Sequence, residues 1–231
     1  MNATTDEKGR YVQAMFTRIA ARYDLMNRLM SAGQDQSWRR AVIKRAQLPA
    51  GGHLLDLGAG TGDLGREALR QTPGARVTAA DFTLAMMRAG QRRPGPVLHW
   101  AAADALHLPF PDHTFDAVVS GFLLRNVSDL SQALAEQYRV LKPGGRLVAL
   151  DTTRLRPSLL APFIRFHMNH VIPLLGTLLT GQREAYVYFP TSSAQFLSAE
   201  QLLVRLAAAG FCQVEFERRM LGTVAIHWGR K

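Results

Sequence analysis

The stretch LLDLGAGTGD, residues 54–63, holds the densest set of residues suited to binding a small charged ligand. Gly58, Gly60 and Gly62 stand at alternate positions, and an acid, Asp56, lies two residues before the first. An apolar run precedes them, and Leu64, Ala68 and Leu69 follow at roughly helical spacing. A strand, a glycine turn and a helix in that order form half of a nucleotide-binding βαβ unit. Glycines there permit backbone angles that a β-carbon forbids and let a ligand lie against the main chain. The dinucleotide fingerprint G-x-G-x-x-G requires a last glycine where this chain has Asp63. The G-x-G-x-G variant behind an acid points to S-adenosylmethionine, which has no pyrophosphate to cradle. The bland alternative is a βα turn that binds nothing.

Further acids stand at the ends of later apolar runs. Asp81 closes a second run and suits a carboxylate accepting from two ribose hydroxyls. Asp104 follows a third run in Ala103-Asp104-Ala105, where it can accept from an adenine amino group beside Ala105. Ser120 and Gly121 end a fourth, near the expected place of the reactive sulfonium. Thr61 can donate its hydroxyl to the amino-acid end of the ligand. Singly, each acid would cap a loop. In register on successive strand ends, they mark the carboxyl edge where open α/β sheets bind ligands.

The elements that must position these groups are readable from periodicity. Strands are expected at 76–80 running into Asp81, and at 98–102, 114–121 and 146–150 ending at Asp151. A helix is expected over 130–141, stopped by Pro143-Gly144-Gly145. Alternation of strands and helices implies a mostly parallel, doubly wound, Rossmann-like sheet. A helix over 199–209 and two strands at 212–218 and 222–228, joined by a short connection, predict a final antiparallel pair. Ahead of the first strand, residues 1–10 read as a mobile polar leader, and 11–50 as a helical cap broken near 31–33. The whole chain, 1–231, reads as a single domain with one apolar insert at about 154–198. Four prolines, Pro157, Pro162, Pro173 and Pro190, are expected to break that insert into short pieces.

Composition narrows the function classes. The 28 Lys+Arg against 18 Asp+Glu give a net charge of +10, but the arginines are scattered without aromatic interleaving, which argues against nucleic acid. The single Cys212 excludes an intrachain disulfide framework and fits a reducing cytoplasm. The N-terminus lacks an apolar signal region, and no apolar stretch is long enough to span a membrane. His167 and His170, three apart in the insert, read as polar points on a lid, and no metal is expected. Nothing matches the G-x-S-x-G elbow of hydrolases.

Across nearly its whole length the chain resembles the ubiquinone/menaquinone biosynthesis C-methyltransferases. RYDLMNRLMSAG at 22–33 is similar to that family's N-terminal signature, and LDLGAGTGDL at 55–64 to its cofactor loop. LPFPDHTFDAVVSGFLLRNVSDL at 108–130, with RVLKPGGRLVALD at 139–151, is the most specific block, and GTVAIHWGRK at 222–231 matches its ending. The resemblance implies a seven-stranded methyltransferase fold with an antiparallel last strand. It also implies methyl transfer from S-adenosylmethionine, leaving S-adenosylhomocysteine, to a ring carbon of a polyprenyl quinol. Demethylmenaquinol is preferred over ubiquinone-pathway intermediates because Gly121 resembles the menaquinone branch. Other phenolic or lipid acceptors, or a non-catalytic scaffold, are the remaining alternatives.

Carried over from the family, Arg125 and Asn126 would sit at the reacting ring, with Arg125 stabilising a developing phenolate directly or through water. The structural alternative for Arg125 is an ion pair with Asp129 or Glu136. Tyr23, Asp24 and Asn27 would lie over the pocket, and Tyr186 and Tyr188 would line the quinol site. The apolar insert, flanked by Arg154, Arg156 and Arg165, would meet the inner face of the membrane as a peripheral contact. A buried helical cap or a homodimer interface is the alternative use. The chain departs from the family at Leu123, at Asp151-Thr152-Thr153, at Thr191 and around 34–36, where a histidine is usual. These departures bear on the acceptor side.

Overall fold

The computed structural model describes residues 5–180 and 183–231, and in them the apolar runs become strands covered on both faces. Strands β1 (His53–Leu57), β2 (Arg76–Asp81), β3 (His99–Ala102), β4 (Phe115–Gly121), β5 (Leu141–Thr152), β6 (Cys212–Arg219) and β7 (Val224–Arg230) form one sheet ordered β3-β2-β1-β4-β5-β7-β6. Neighbours from β3 through β5 are parallel. β7 runs antiparallel between β5 and β6. This is the mostly parallel, Rossmann-like sheet expected from the alternation and the terminal pair, with the seven strands that the family resemblance implies. The strand order reverses at β1 and β4, so the crevice for a ligand opens at their carboxyl ends.

Helices α1 (Thr5–Ile19), α2 (Tyr23–Met30) and α3 (Asp35–Ala46) precede the sheet, and α4 (Asp63–Gln71) and α5 (Leu84–Gln91) follow β1 and β2. Helix α6 (Leu130–Val140) precedes β5; α7 (Ala161–Phe166), α8 (Ile172–Thr180) and α9 (Arg183–Gln195) occupy the insert; α10 (Ala199–Ala208) leads into β6. One face of the sheet packs Leu55, Phe115, Val118 and Leu147 against Leu134 of α6 and Leu202 and Leu206 of α10. The other packs Leu54, Val119, Val148 and Trp228 against Trp38, Val42 and Ile43 of α3. Burial on both faces is why the central strands read as continuous apolar runs rather than alternating ones. Helix starts carry their own local signals. The Asp129 side chain accepts from the Gln132 amide ahead of α6, and Ser198 with Gln201 forms a capping box on α10.

Three expectations are corrected. Residues 5–10 are helical rather than a loose leader, and Lys8 Nζ donates to the carbonyls of Arg125 and Val127 at 3.2 and 2.7 Å. Residues 1–4 lie outside the described residues. Strand β5 begins at Leu141, before the Pro143-Gly144-Gly145 turn, because Leu141 pairs with Phe115. The Gly144 amide then donates to Lys231 O at 2.9 Å, and the Lys231 amide donates to Gly145 O at 3.0 Å. The prolines do not fragment the insert. Pro162 sits in the first turn of α7, where its missing N–H has no intrahelical role. A π-helical stretch, His167–Val171, leads into α8, which takes Pro173 in its first turn, and α9 passes through Pro190.

Asp56 ties β1 to α4. Its Oδ2 accepts the Gly65 amide at 2.8 Å in the first turn of the helix, where a negative group is favoured. Its Oδ1 is buried without a partner. Burial pushes the Asp56 carboxyl up to about 7, with Asp63 and Asp81 adding to the rise against the Gly65 bond. The unfolded chain releases this proton near the ordinary carboxylate value, so between there and about 7 the folded state holds more protons. Stability carried by the protonated Asp56 is full at acid pH and is lost as the pH rises through that window. The slope is at most about 1.4 kcal/mol per pH unit for one proton. Chemical denaturation from pH 4 to 8 should therefore show Asp56→Asn gaining stability relative to the parent as pH rises. Parallel pH curves for the two proteins would remove Asp56 as the buried acid responsible.

Candidate active site

The glycine turn lies between β1 and α4, with Gly58, Gly60 and Gly62 at φ of 67°, 57° and 83°. Gly62 is doubly constrained, since a β-carbon there would stand 2.6 Å from Leu98 Cδ1. Asp81, at the end of β2, holds the turn in place. Its Oδ2 accepts the Gly60 amide and its Oδ1 the Thr83 amide, each at 2.7 Å. Burial raises the Asp81 carboxyl above the ordinary carboxylate value, and these amide bonds oppose the rise. A carboxylate oxygen has two lone-pair directions, so Asp81 retains acceptor capacity for a pair of hydroxyls. Beside it opens a cavity of about 350 Å3 whose walls include Gly58, Gly60, Asp81, Asp104, Ala105, Gly121 and Asn126. Asp104 Oδ1 accepts the Leu106 amide at 2.9 Å, which fixes the loop and leaves the other oxygen free of that bond.

Four residues expected at the cofactor stand behind this wall. Asp56 serves Gly65, as described above. The Thr61 hydroxyl donates to Asp24 Oδ1 at 2.7 Å and receives Arg93 Nη1 at 2.9 Å. Gly62 packs against Leu98 and Trp100. Ser120 is buried with its hydroxyl unpaired. The Gly58 and Gly60 backbone along the cavity wall and the Asp81 and Asp104 carboxylates suit a ligand with hydroxyl and amino donors, as S-adenosylmethionine has.

A second cavity, about 440 Å3, lies between the cap and the insert. Met26, Met30, Trp38, Phe163, Met168 and Ile172 give it an apolar lining. Phe16, Tyr23 and Phe122 line both cavities and form the partition between them. Asn27, Tyr186 and Tyr188, expected on the substrate side, all line the apolar cavity. Burial raises the phenols of both Tyr23 and Tyr188 above the ordinary value.

Arg125 and Asn126 meet at this partition. Phe122 takes a positive φ of 60°, unusual for an aromatic residue, and turns the chain after β4 so that the next residues face the cavities. Arg125 Nη1 donates to Asp151 Oδ1 at 2.8 Å and to the Phe122 carbonyl at 3.2 Å. The Arg125 amide donates to Asp151 Oδ2 at 3.2 Å. Both side chains are buried, at 7% and 1% exposure. Arg125 Nε is buried without a partner. Asn126 Nδ2 donates to the Phe122 carbonyl at 2.8 Å, and its Oδ1 accepts the Tyr188 hydroxyl at 3.1 Å. The expected alternative partners of Arg125 are engaged elsewhere: Asp129 caps α6 and Glu136 pairs with Arg139 at 2.7 Å.

Sequence reasoning missed Asp151 as the acid that holds Arg125, and the signal available was its place at the end of a strand beside β4. It also missed an ionic chain across the cap. Arg93 bridges Asp24 and Asp63 at 3.0 and 2.7 Å, and Arg39 bridges Asp63 and Asp35 at 2.9 and 2.7 Å. Asp63, the residue that breaks the dinucleotide pattern, is the shared anchor of that chain.

The profile of the ubiE/COQ5 methyltransferase family matches residues 3–231. A ubiquinone/menaquinone biosynthesis C-methyltransferase UbiE from Desulfotalea psychrophila is 48% identical over 225 residues, covering 97% of this chain and 92% of that protein. A demethylmenaquinone methyltransferase from Thermus thermophilus is 44% identical over 218 residues, covering 93% and 99%. Among solved structures, a SAM-dependent methyltransferase from Thermotoga maritima, a possible histamine N-methyltransferase by its description, superposes with a TM-score of 0.68 at 20% identity. It covers 94% of this chain and 99% of that one, a likeness of fold alone. With its sheet, its glycine turn and its relatives in agreement, the chain belongs to the ubiE/COQ5 methyltransferase family and is an S-adenosylmethionine-dependent methyltransferase.

Proposed function

We propose that this enzyme methylates a ring carbon of a polyprenyl quinol, converting demethylmenaquinol to menaquinol. The observation that carries the reading is the junction of two cavities at Arg125 and Asn126, one lined by the glycine turn and the other apolar. S-adenosylmethionine, when bound, supplies an electrophilic methyl group on a sulfonium. Asp81 and Asp104 hold its ribose and adenine ends, and Gly58 and Gly60 give it backbone to lie against. Asp56, Thr61, Gly62 and Ser120 support that turn from behind.

On the acceptor side, the ring carbon becomes a nucleophile when the neighbouring hydroxyl gives up its proton. Arg125 stays charged and stabilises the phenolate oxygen, because a guanidinium does not surrender its proton in a protein. Its Nε, buried without a partner, is the donor assigned to that oxygen. Asn126 and Tyr188 fix the ring edge beside it. The ring carbon would take the methyl group of the bound donor, which leaves as S-adenosylhomocysteine, and the carbon's hydrogen would then pass as a proton to solvent as aromaticity is restored. Phe16, Tyr23 and Phe122 keep water from the reacting pair, where fixed dipoles act most strongly. Tyr23, Asn27 and Tyr186 shape the space around the ring.

The polyprenyl tail leaves through the insert. Leu159, Phe163, Phe166 and Leu174 are 94%, 74%, 62% and 60% exposed, an apolar face continuous with the cavity through Phe163. Arg154, Arg156 and Arg165 flank it in sequence; Arg156 pairs with Glu200, and the exposed Arg154 and Arg165 suit anionic headgroups. Among the described residues no helix is long and apolar enough to cross a membrane. On this reading the insert rests on the bilayer surface as a peripheral contact, with a homodimer as the competing use of this face.

Calorimetry should register S-adenosylmethionine binding, and Asp81→Ala should weaken it by about 1.5–3 kcal/mol, the worth of a hydrogen bond to a charged group. Undiminished affinity would take Asp81 out of the site. Arg125→Ala should melt at lower temperature than the parent, because it strands a buried Asp151 at a cost of roughly 3–5 kcal/mol. The pair Arg125→Met with Asp151→Asn should recover the stability without recovering turnover of a short-tailed demethylmenaquinol. Recovery of both would make Arg125 structural, and mass spectrometry of the methylated quinone would separate menaquinol from benzoquinol acceptors. Vesicles with anionic lipid should sediment the protein at low salt and release it at high salt. Phe163→Ser combined with Phe166→Ser should abolish that recruitment. Recruitment that survives those changes, or none for the parent, would leave the insert to a dimer, which light scattering would detect.

A further inference from the structure

The apolar cavity contains one acid that the proposed reaction does not use. Asp35, in the first turn of α3, lines it with only 3% exposure, set among Met30, Trp38 and the partition. Among the described lining residues the formal charges are Arg125 and Asp35, of opposite sign. A carboxylate in an apolar wall is costly unless hydrogen bonds satisfy it. Asp35 is held, but not saturated. Its Oδ1 accepts the Ser31 hydroxyl at 3.1 Å, and its Oδ2 accepts Arg39 Nη1 at 2.7 Å. Each oxygen retains a second lone-pair direction.

Resting on the quinol reading above, we infer that Asp35 is a substrate-binding residue that accepts a hydrogen bond from the second hydroxyl of the ring. A para-quinol carries two hydroxyls on opposite sides of the ring, and the cavity offers two charged groups of opposite sign. The hydroxyl next to the acceptor carbon becomes anionic at Arg125. The other stays neutral and donates to Asp35. This division orients the ring by both ends and distinguishes a diol from a simple phenol. An isosteric phenol lacking the second hydroxyl would leave the Asp35 lone pair unmet in a dry wall, the arrangement by which polar sites discriminate most strongly. Arg39, which also bridges to Asp63 at the glycine turn, holds the carboxylate in position and touches no substrate.

The test uses the full-length enzyme with S-adenosylmethionine and two short-tailed acceptors. One is the quinol, and the other is its monomethyl ether that keeps only the hydroxyl beside the acceptor carbon. The parent should favour the quinol in kcat/KM by about tenfold or more, the worth of one hydrogen bond to a charged group. Asp35→Asn, nearly isosteric, should lose most of that preference, raising KM for the quinol while the ether and the affinity for S-adenosylmethionine stay within about twofold. Equal use of both acceptors by the parent overturns the inference without recourse to any variant. So does an Asp35→Asn effect shared equally by quinol and ether, since that marks a structural role. A parent that methylates neither acceptor withdraws the quinol reading, and this inference with it.

Discussion

The buried pair between Arg125 and Asp151 is the interaction on which the reaction site depends. A guanidinium cannot be neutralised by losing its proton, so it enters an apolar partition only with a compensating charge. Asp151 supplies that charge from the end of β5, and it accepts the backbone amide of Arg125 as well as its side chain. The acid thereby fixes the loop after β4 and the charge that the loop carries. Parallel pairing of β4 with β5, with Gly121 opposite Leu150, brings these positions together across 26 residues of sequence. The positive φ of Phe122 follows from the same geometry, because its amide donates to the Leu150 carbonyl while the chain turns toward Arg125.

The cap is held to the sheet by a different kind of charge. Asp24, Asp63 and Asp35 alternate with Arg93 and Arg39 along one edge of the glycine turn. Several of these groups reach solvent, and pairs of that kind are individually weak and screened by salt. Their value is positional. Each arginine bridges two acids, so the chain of contacts fixes α2 and α3 relative to α4 with little tolerance. Tyr23 and Asp35 are thereby placed on the walls of the apolar cavity by the same contacts that steady the cofactor turn. Apolar packing of Met15, Ile19 and Met26 against Tyr186 closes the other side of the cap.

The sheet was legible because its strands are buried on both faces and bounded by glycines and acids. LLDL before Gly58, and AVVS before Gly121, have little choice of partner. The start of β5 was hidden because Pro143-Gly144-Gly145 reads as the end of an element, whereas Leu141 had already joined β4 across a bulge. The insert was misread for a related reason. Proline ends a helix when its carbonyl clash and lost bond have no remedy. Pro162 avoids both at the first turn, and the π stretch before Pro173 absorbs the misfit. The glycine turn and Asp81 could be placed from spacing alone. Thr61 and Asp56 could not, because their partners Asp24 and Gly65 are set by folding and not by the motif. Asp151 was visible as the end of a strand and as a departure from a family pattern; its pairing with Arg125 needed the strand neighbours.

The partition explains why two very different ligands are accommodated by one small domain. A charged, water-soluble methyl donor needs hydrogen-bonding backbone, and a prenylated ring needs a dry apolar space. The aromatic partition narrows the opening where the methyl group must meet the ring carbon, so water around the donor is kept from the ring and does not dilute the field of Arg125. Phe16, Tyr23 and Phe122 come from α1, α2 and the loop after β4, so no single element closes the wall. The N-terminal cap is therefore part of the reaction chamber and not an appendage. Its first helix reaches the loop itself, where Lys8 binds the carbonyls of Arg125 and Val127. A displacement of the cap would open the partition and release the loop together, which makes the order of the cap and the polarity of the chamber a single variable.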